Sequence, residues 1–368
     1  MTRAERRGPL PAGSLGSLVR LPEPGEQDDG LVRLNRNERL EPLPDLFVER
    51  LRSLVESDLL TSYPVTDRLY AALAESLSVD RSQLLLSPGS DAAVKALYHA
   101  YVEPGDRVVM LDPSYAMYSV YAEMFQAEAT RVPFDSLAGM DVERLLAAIL
   151  PGVKLVLIAN PNQPTGTLMP EDALLEVARR ALEAGALLAV DEAYYPFSGA
   201  TLLPRVAELP NLAVLRSFSK AAGLAGLRIG FVAADAHVVG DLYKVRSVHD
   251  VNAFAMACAL ELLAQPEVID DYVEHVREGE RVLRERAEAL GLTVTPSYAN
   301  FSLVEVADRC PAADLVERLR DRGYIVRGPF SAPPLARHIR VTLGPPHVMN
   351  KFCDALTDAL SQDESNGS

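Results

Sequence analysis

The first residue whose type and setting point to chemistry is Lys220, at the end of the segment RSFSK (216–220). This segment follows an apolar run and precedes a stretch with spaced glycines, so it lies at the mouth of a predicted α/β core. A lysine there is partly desolvated, which lowers its pKa and frees its amine as a nucleophile. The two serines before it and Arg228 after it are suited to holding a phosphate dianion. An isolated lysine of this kind is more often an ordinary surface residue, so its meaning depends on its neighbours in the fold.

Asp191 is the second candidate. It ends the apolar run ALLAVD (186–191) and is followed by Glu192 and, two residues later, by Tyr194. An acid at the carboxyl end of a parallel strand lies where such sheets bind their ligands. The alternative, a helix N-cap or a loop charge, is about as frequent for an isolated aspartate.

Two loops that follow other predicted strands add backbone groups. NPNQPTG (160–166) contains prolines and a glycine, which fix the backbone and present its amides rigidly. SPGSD (87–91) joins a strand to a helix start, where N–H groups and a hydroxyl suit a phosphate, although a plain N-cap explains Ser90 equally well. An amine, an acid, an amide loop and a phosphate cradle converge on an aldehyde that carries an aromatic nitrogen and a phosphate. That ligand is pyridoxal 5'-phosphate.

These candidates each end a predicted strand of one sheet. Short apolar runs of this kind suit strands that are buried on both faces. Between two of them, apolar residues at helical spacing from Ala173 to Leu182 predict a helix that Gly185 closes. Strands that alternate with helices predict an α/β domain with a mostly parallel sheet. The predicted strands are 84–87, 107–111, 154–160, 186–191, 212–217 and 229–234, and a further helix is predicted at 91–102.

The chain divides into three predicted parts. Residues 1–30 are rich in Pro, Gly and charge and predict a mobile N-terminal arm, although an arm that docks on a partner subunit would look the same. Residues 61–265 carry the alternating pattern and form the predicted large domain. We expect residues 31–60 and 266–368 to form a smaller α+β domain. The elements predicted there are a long charged helix (268–290), a strand (301–306), a helix (312–322) and a strand (339–343).

The bulk composition limits the class of protein. The chain has 368 residues, a net charge of -15 and 48% hydrophobic residues, which is an ordinary globular balance. A negative field repels a phosphate backbone, so no nucleic-acid partner is expected. No apolar run of about 18 residues predicts a membrane span, and the N-terminus lacks the apolar segment of a secretory signal. Cys258, Cys310 and Cys353 are widely separated, which favours thiols in a reducing cytoplasm.

Longer motifs are spread over most of the chain. They are LNRNE (34–38), YP (63–64), SPGSD (87–91), PSYAMYSVYAE (113–123), NPNQPTG (160–166), VDEAYYPF (190–197), SFSKAAGLAGLRIGF (217–231), YANFSLV (298–304) and IRVTLG (339–344). In their order and spacing they resemble the fold-type I, class I/II aminotransferases that depend on pyridoxal phosphate, and most of all the histidinol-phosphate aminotransferase group. The resemblance covers residues 31–358. It implies an aspartate-aminotransferase-like fold, with a large domain that binds the cofactor and a smaller α+β domain.

The resemblance also implies a reaction. An amino group would move between an amino acid, or a phosphorylated amine, and a keto acid or aldehyde, by ping-pong Schiff-base chemistry. The lysine that matches Lys220 forms the Schiff base with the cofactor and later shuttles a proton. The acid that matches Asp191 pairs with the pyridinium nitrogen and keeps the ring an electron sink. Tyr194 and the amide loop bind the phenolic oxygen.

Further site residues follow from the same resemblance. Tyr115 would stack on the pyridine face. Tyr63 resembles a tyrosine that reaches the phosphate from the neighbouring subunit, which implies a homodimer with shared active sites. Arg340, Arg327 and Asn35 match substrate-binding positions, and a guanidinium suits a substrate carboxylate. The residues expected to hold the phosphate are Ser90, Asp91 through its amide, Ser217, Ser219 and Arg228.

The sequence departs from the family pattern in three places. Where the family has Asn-Pro-Thr-Gly, this chain has QPTG (163–166), so either Asn162 or Gln163 contacts the ring oxygen, and we slightly favour Asn162. No tyrosine precedes Tyr63, whereas these enzymes commonly carry an upstream Pro-Tyr pair that encloses the substrate. The family's Pro-Tyr-Asn-Val-Asn is VHDVN (248–252) here, so His249 and Asp250 either face a different substrate or are ordinary polar loop residues.

Several alternatives remain open at this point. Decarboxylases of phosphorylated amino acids and oxygen-using oxidases share the same scaffold and keep the cofactor residues. A cofactor-binding regulator would carry an appended DNA-binding domain, for which the 30-residue arm is too short. A dinucleotide-dependent dehydrogenase is not expected, because no GxGxxG motif follows a strand.

Overall fold

The computed structural model describes residue 18 and residues 30–55, 57–134, 137 and 139–366. The predicted arm at 1–30 therefore lies almost entirely outside the described residues. The elements, in chain order, are β1 (Val32–Arg33), α1 (Asp45–Ser53), α2 (Ser57–Thr61), α3 (Asp67–Leu77), β2 (Leu84–Ser87), α4 (Gly89–Tyr101), β3 (Arg107–Asp112), α5 (Ala116–Met124), β4 (Glu128–Pro133), α6 (Val142–Ala148), β5 (Val153–Ala159), α7 (Glu171–Ala184), β6 (Leu187–Asp191), α8 (Tyr195–Ser198), β7 (Leu212–Ser217), β8 (Gly230–Ala234), α9 (Ala236–Val245), α10 (Ala253–Leu263), α11 (Glu267–Ala289), β9 (Thr293–Val294), β10 (Phe301–Glu305), α12 (Ala312–Asp321), β11 (Tyr324–Ile325), β12 (His338–Thr342) and α13 (Pro346–Asn366).

A large sheet dominates the described part of the chain. It has seven strands in the order β2-β8-β7-β6-β5-β3-β4. The pairs from β7 through β6, β5 and β3 to β4 are parallel, whereas β8 runs antiparallel to both of its neighbours. The prediction of a mostly parallel sheet is confirmed. The parallel strands bring the chain segments after β5, β6 and β7 to one edge, which is where the candidate residues were expected.

Apolar cores cover both faces of this sheet. Alternate residues of β6 point to opposite sides, so that Leu188 packs in one core and Ala189 in the other. All five residues of β6 and β8 are buried, which explains their continuous apolar runs. The edge strand β4 was not predicted, because most of its residues are exposed and its sequence EATRVP is polar.

Helices that pack on the sheet begin and end near their predicted limits. The predicted helix at 91–102 is α4, which begins earlier, at Gly89. The helix around 173–182 is α7, and Gly185 is its C-cap in the left-handed conformation, as its type predicts. Gly185 adopts φ 76°, which a side chain with a Cβ would strain.

The C-terminal part of the chain forms a second core. Strand β10 pairs antiparallel with β12 and with β9, helices α11 and α12 pack against these strands, and α13 packs against α11 and α12. Apolar residues from all of these elements form one buried cluster. The predicted strands and helices after Pro266 are therefore present, within one or two residues of the expected limits.

The segment at 31–60 divides between the two cores. Strand β1 pairs with β11, and Leu34 is buried in the second core. Phe47 of α1, in contrast, is buried in the core of the large sheet. The domain limits stay a prediction, and the packing of Phe47 argues for moving α1 from the small domain to the large one.

Two further properties bear on the sequence predictions. Cys258, Cys310 and Cys353 are buried and present as thiols. No helix within the described ranges is long and apolar enough to cross a membrane.

Candidate active site

The segments after β2, β5, β6 and β7 meet around one cavity of about 120 Å³. Every residue expected to bind the cofactor lines it, except Tyr63 and Asn162. The lining residues are Ser90, Asp91, Tyr115, Ala159, Gln163, Asp191, Ala193, Tyr194, Ser217, Ser219, Lys220 and Arg228. Residues more than a hundred positions apart in the chain are thus brought together as the strand pattern predicted.

Lys220 lies three residues beyond the end of β7 and points its amine into the cavity. Its Nζ donates a hydrogen bond to the carbonyl oxygen of Arg36, 3.1 Å away. Burial and, after it, the positive charge of Arg340 lower the pKa of Lys220 to about 8, while Glu38 opposes the shift. An amine in this setting is available as a nucleophile and a base near neutral pH.

Asp191 is the last residue of β6 and is buried. Its carboxylate accepts hydrogen bonds from the Ala193 N–H at 3.1 Å and from the Tyr118 hydroxyl at 3.2 Å. Burial raises the pKa of Asp191 to about 6, and these two hydrogen bonds counteract the rise. A buried carboxylate aimed into a cavity favours a cationic partner there.

Tyr194 places its hydroxyl between two amide side chains. It donates to Gln163 Oε1 at 2.5 Å and accepts from Asn37 Nδ2 at 2.9 Å. Burial raises the pKa of Tyr194 to about 12, although Arg340 and the Asn37 bond pull it down. Asn37 was not singled out from the sequence. Its place in LNRNE (34–38), next to Asn35, was the available signal.

The structure places Asn162 and Gln163, the two candidates for the contact with the ring oxygen, in different surroundings. Asn162 is 1% exposed, and its side chain is bonded to the segment after β3 and to its own loop. It accepts from Ser114 Oγ at 2.8 Å and donates to the Pro113 carbonyl at 3.0 Å and to Thr165 Oγ1 at 2.8 Å. Gln163 lines the cavity instead, and its Oε1 accepts a hydrogen bond from the Tyr194 hydroxyl.

The opposite end of the cavity carries hydroxyls and a guanidinium. Arg228 Nη1 donates to Ser219 Oγ at 3.2 Å, and the Ser219 N–H donates to Ser217 Oγ at 3.1 Å. Ser90 lies in the first turn of α4, whose N-terminal N–H groups favour an anion. Gly89 adopts φ 79°, which a residue with a Cβ would strain, and a Cβ there would come within 2.8 Å of Arg228 Nη2.

Three tyrosines around α5 hold the acids of the cavity. Tyr115 donates to Asp91 Oδ1 at 3.2 Å, and Tyr121 donates to Asp91 Oδ2 at 2.9 Å. Tyr118 packs edge-on against Tyr115, with ring centroids 5.5 Å apart, and bonds Asp191. Tyr118 and Tyr121 were not singled out from the sequence, although their three-residue spacing in PSYAMYSVYAE placed them on one helix face with Tyr115.

Arg340 reaches the site from β12 of the second core. It is 5% exposed, its Nη2 donates to the Asn35 carbonyl at 2.8 Å, and its Cζ lies 5.1 Å from the Phe301 ring centroid. Its Nε finds no hydrogen-bond partner among the described residues. Burial lowers the pKa of Arg340 to about 10. The exposed Arg327 pairs with Arg340 by two backbone hydrogen bonds, so the two predicted substrate arginines lie on neighbouring segments of the same chain.

Tyr63 lies outside the cavity of its own chain. It is 79% exposed and stacks on His249, with ring centroids 4.5 Å apart. Asp250, the neighbour of His249, is held by Arg246 at 2.6 Å. The two departures in VHDVN therefore differ, because His249 accompanies Tyr63 whereas Asp250 is bound within its own loop.

The donor set of the cavity fits the cofactor that the sequence predicts. Hydroxyls, a helix N-terminus and Arg228 suit a phosphate, and Asp191 suits a protonated ring nitrogen. Tyr194 suits a phenolic oxygen, and the Lys220 amine suits an aldehyde. Within the described ranges no group of His, Cys, Asp and Glu is arranged to hold a metal ion.

Comparisons with known proteins agree with this geometry. A sequence profile of the family described as aminotransferase class I and II matches residues 30–356. A histidinol-phosphate aminotransferase of Symbiobacterium thermophilum is 36% identical over 341 residues, which is 90% of this chain and 91% of that protein. One from Caldanaerobacter subterraneus subsp. tengcongensis is 32% identical over 333 residues, covering 89% of this chain and 93% of its own length.

Solved structures give the same picture. Histidinol-phosphate aminotransferase from Sinorhizobium meliloti, in complex with pyridoxal-5'-phosphate, superposes with a TM-score of 0.86 at 27% identity, over 98% of this chain and 99% of that one. Aspartate aminotransferase from Thermus thermophilus with maleate superposes with a TM-score of 0.77 at 25% identity, over 90% and 92% of the two chains. The aspartate-aminotransferase-like fold expected from the sequence is confirmed.

Proposed function

The chain belongs to the family of class I and II aminotransferases, and we propose that its cavity carries out transamination with pyridoxal 5'-phosphate as cofactor. The amino group moves between an amino acid or phosphorylated amine and a keto acid or aldehyde. The observation that carries the proposal is the Lys220 amine, whose pKa is lowered to about 8 and which shares one cavity with Asp191. We assign the reaction itself to this cavity.

The residues of the cavity divide the binding of the cofactor among them. Ser90, Ser217, Ser219 and Arg228 would hold its phosphate, and Asp191 its ring nitrogen. Tyr194 and Gln163, already bonded to each other at 2.5 Å, would hold its phenolic oxygen. When bound, pyridoxal phosphate supplies an electron sink for the substrate carbon that loses a proton.

Lys220 serves as the base. Its Nζ has to be neutral to accept the proton from the α carbon of the substrate, and burial favours the neutral form. Arg340 contributes twice, since its charge lowers the pKa of Lys220 and its guanidinium is placed to grip the anionic end of a substrate. Asp191 has to be ionised to keep a proton on the ring nitrogen, and a cation against it favours that form.

We further propose histidinol phosphate and its keto partner as the substrate pair. The support is that relatives named for this activity are 30% to 36% identical over about nine-tenths of the chain. The buried, partly unsatisfied Arg340 and the adjacent Arg327 favour an anionic substrate. No observation favours the decarboxylase or the oxidase.

Half-reactions test this substrate assignment. The reconstituted enzyme is mixed separately with histidinol phosphate and with amino acids, and the visible absorbance of the bound cofactor is followed. We expect histidinol phosphate to bleach this absorbance and a keto acid to restore it. Release of carbon dioxide without dependence on a keto acid would instead indicate a decarboxylase, and oxygen consumption would indicate an oxidase.

We also propose a homodimer that shares its active sites. Tyr63 is 79% exposed, and its surroundings are apolar and exposed, with Leu60 at 67% and Val65 at 76%. Exposed apolar residues clustered in this way are typical of interaction surfaces. In a dimer, Tyr63 would reach the phosphate-binding end of the partner's cavity.

Complementation tests the dimer. Tyr63→Phe and Lys220→Ala subunits should each have low activity, and mixing them under conditions of subunit exchange creates one site that has both Tyr63 and Lys220. We expect the mixture to regain activity. Mixing Lys220→Ala with Asp191→Asn is the control, because both changes lie in the same cavity of one chain and their mixed sites each stay defective. Equal recovery in both mixtures would contradict the proposed geometry.

We propose the cytoplasm as the compartment. The three buried cysteines are thiols, as is usual for proteins of a reducing compartment.

A further inference from the structure

Three residues of the cavity each have a chain neighbour in one compact group on the opposite face of the sheet. Asp191 is followed by Glu192, Tyr194 is followed by Tyr195, and Ser217 is preceded by Arg216. Arg216 and Ser217 are adjacent residues of β7, and adjacent residues of a strand point to opposite faces. Glu192 and Tyr195 lie beyond the end of β6 and line a second cavity together with Arg216. Together with Thr201 they form what we call the back cluster: Glu192, Tyr195, Thr201 and Arg216.

The back cluster is tightly bonded. Arg216 Nε donates to Glu192 Oε2 at 2.8 Å, and its Nη2 donates to Thr201 Oγ1 at 2.8 Å. Thr201 Oγ1 in turn donates to Glu192 Oε2 at 2.7 Å, and the Leu202 N–H donates to Glu192 Oε1 at 2.7 Å. The Arg216 guanidinium lies over the Tyr195 ring, 3.4 Å from its centroid. The Glu192 side chain is 1% exposed and that of Arg216 is 11% exposed.

The back cluster is connected to the cavity through the backbone of directly adjacent residues. Asp191 is paired with Leu215 in the register of β6 and β7, and the Glu192 N–H donates to the Leu215 carbonyl at 2.9 Å. The Tyr195 N–H donates to the Glu192 carbonyl at 2.9 Å. Glu192 and Arg216 are therefore each one residue along the backbone from a residue of the cavity, Asp191 and Ser217 respectively.

Close packing does not fix the back cluster from its outer side. Glu192, Tyr195 and Arg216 line a cavity of about 300 Å³ whose remaining walls are mostly apolar, formed by residues such as Leu73, Phe231 and Ile269. A buried ion pair contributes little net stability compared with apolar side chains of similar volume. It does, however, hold its partners at a defined distance and orientation, especially when the guanidinium is bonded at two nitrogens.

We propose that the back cluster is a positioning device, which sets the separation between the acid at the ring nitrogen, the tyrosine at the phenolic oxygen and the serine at the phosphate. Glu192 and Arg216 are its positioning residues. The inference rests on the proposed function, because it assigns Asp191, Tyr194 and Ser217 to one bound cofactor. It predicts that changes in the back cluster alter how the cofactor is held, although none of its residues lines the cofactor cavity.

The experiment compares two single variants with their combination. Glu192→Gln and Arg216→Met each leave one partner of the buried pair alone, whereas the double variant removes both charges. For each protein, the apoenzyme is titrated with pyridoxal phosphate to obtain its dissociation constant. The pH midpoint of the visible band of the holoenzyme and the unfolding midpoint of the apoenzyme are measured in parallel. Glu280→Gln, in the Glu280–Arg284 pair of α11 at 2.8 Å, is the control for loss of an ion pair elsewhere.

We expect both single variants to raise the dissociation constant by about 10- to 100-fold, as is usual when a partner behind a ligand-binding residue is removed. The pH midpoint of the visible band should shift as well. In the double variant the unfolding midpoint should recover towards that of the wild type, because no buried charge is left alone. The dissociation constant and the pH midpoint should not recover, and Glu280→Gln should leave both unchanged.

Milder variants keep the test decisive if a single variant does not fold. Thr201→Val removes the hydroxyl shared by Glu192 and Arg216 at nearly constant volume, and Arg216→Lys keeps the charge but not the two-nitrogen contact. Each should raise the dissociation constant by about threefold or more, in proportion to a lost hydrogen bond.

Two outcomes would overturn the inference. One is a double variant, or a pair of milder variants, with wild-type cofactor affinity and pH midpoint, since the cluster would then only stabilise the fold. The other is a visible band that fails to form in the wild type, or that persists in Lys220→Ala. Either result would contradict the proposed function, and the inference that rests on it would fail as well.

Discussion

At the ends of β6 and β7, the charged side chains on the two faces of the sheet differ in their hydrogen-bond partners. On the back, Glu192 and Arg216 are bonded to each other and to Thr201. On the front, Lys220 has only a backbone carbonyl as hydrogen-bond acceptor within the described ranges, and Asp191 accepts from neutral donors. Both sets of side chains come from the ends of the same two strands, β6 and β7, or from the residues that follow them.

This difference indicates where a ligand belongs. A buried charge without a counter-charge costs free energy, and its pKa shifts towards the neutral form, as for Lys220 and Asp191. Burial also raises the pKa of Glu192 in the back cluster, but there the Arg216 charge and the hydrogen bonds from Leu202 and Thr201 oppose the rise. The front face has charged groups that a ligand with a phosphate, a cationic nitrogen and an aldehyde would satisfy. The back cluster positions the cavity residues next to it in the chain.

The largest effect should come from removing the amine of the front face. Lys220→Ala abolishes both the nucleophile and the base, so we expect activity to fall by about 10⁴-fold or more. The visible absorbance band of the cofactor should disappear on reconstitution. Steady-state assays and an absorbance spectrum measure the two effects.

Lys244→Ala is the matched control for this change. Lys244 is 74% exposed and pairs with Asp241 on the surface of α9, so its loss should leave activity and spectrum unchanged. A visible band that persisted in Lys220→Ala would show that another amine holds the cofactor.

Removing only the charge of Asp191 should have the next largest effect. Asp191→Asn keeps the size of the side chain and its contacts with Ala193 and Tyr118, so the cofactor should still bind. Turnover should fall by about 10³-fold, because the amide cannot stabilise a proton on the ring nitrogen. Near-normal turnover, measured at saturating cofactor, would contradict the assigned role, and Asp241→Asn on the surface is the control.

The third prediction concerns the protonation of the front face. A lysine whose pKa is lowered is neutral above its shifted pKa, so the Lys220 amine should gain reactivity as pH rises through about 8 and then level off. At pH 7 the neutral fraction should exceed that of an ordinary lysine by about 300-fold. Rates of reductive alkylation of the apoenzyme, followed by peptide mapping, measure this midpoint.

Arg340 supplies a second test of the same pKa. Its positive charge is the largest influence on Lys220 after burial. Arg340→Gln should therefore raise the midpoint of alkylation. A midpoint near 10.5 in the wild type would mean that the amine is solvated and that the front face is not poised as described.

The sequence predicted the front face better than the back. Lys220, Asp191 and the two loops were found because each follows an apolar run, and apolar runs determine where parallel strands end. Glu192 and Arg216 lie next to these residues but carry no signal of their pairing, since contact across two strands depends on register. Strand β4 was missed for a related reason, because an exposed edge strand lacks an apolar pattern.

Strand orientation and side-chain placement were likewise beyond what local sequence patterns predict. The antiparallel orientation of β8 and the division of residues 31–60 between two cores depend on tertiary packing, which local patterns do not specify. The choice between Asn162 and Gln163 depended on a loop conformation that the family pattern did not match. Sequence identified the loop, and only the three-dimensional contacts identify which amide faces the cavity.

The smallest effects should separate these two neighbours. Asn162→Ala removes one hydrogen bond inside the loop and two that join the loop to the segment after β3, so we expect the free energy of unfolding to fall by about 1–3 kcal/mol. Gln163→Ala removes one contact to Tyr194 at the cavity wall, and its cost should be about 1 kcal/mol or less. Gln163→Ala should instead shift the pH midpoint of the visible band, because the tyrosine loses the acceptor of its proton. Denaturant unfolding of the apoenzyme and a pH titration of the holoenzyme measure both quantities. If Asn162→Ala shifted the band and Gln163→Ala carried the loss of stability, the two residues would have exchanged their assigned places, with Asn162 facing the ligand and Gln163 holding the loop.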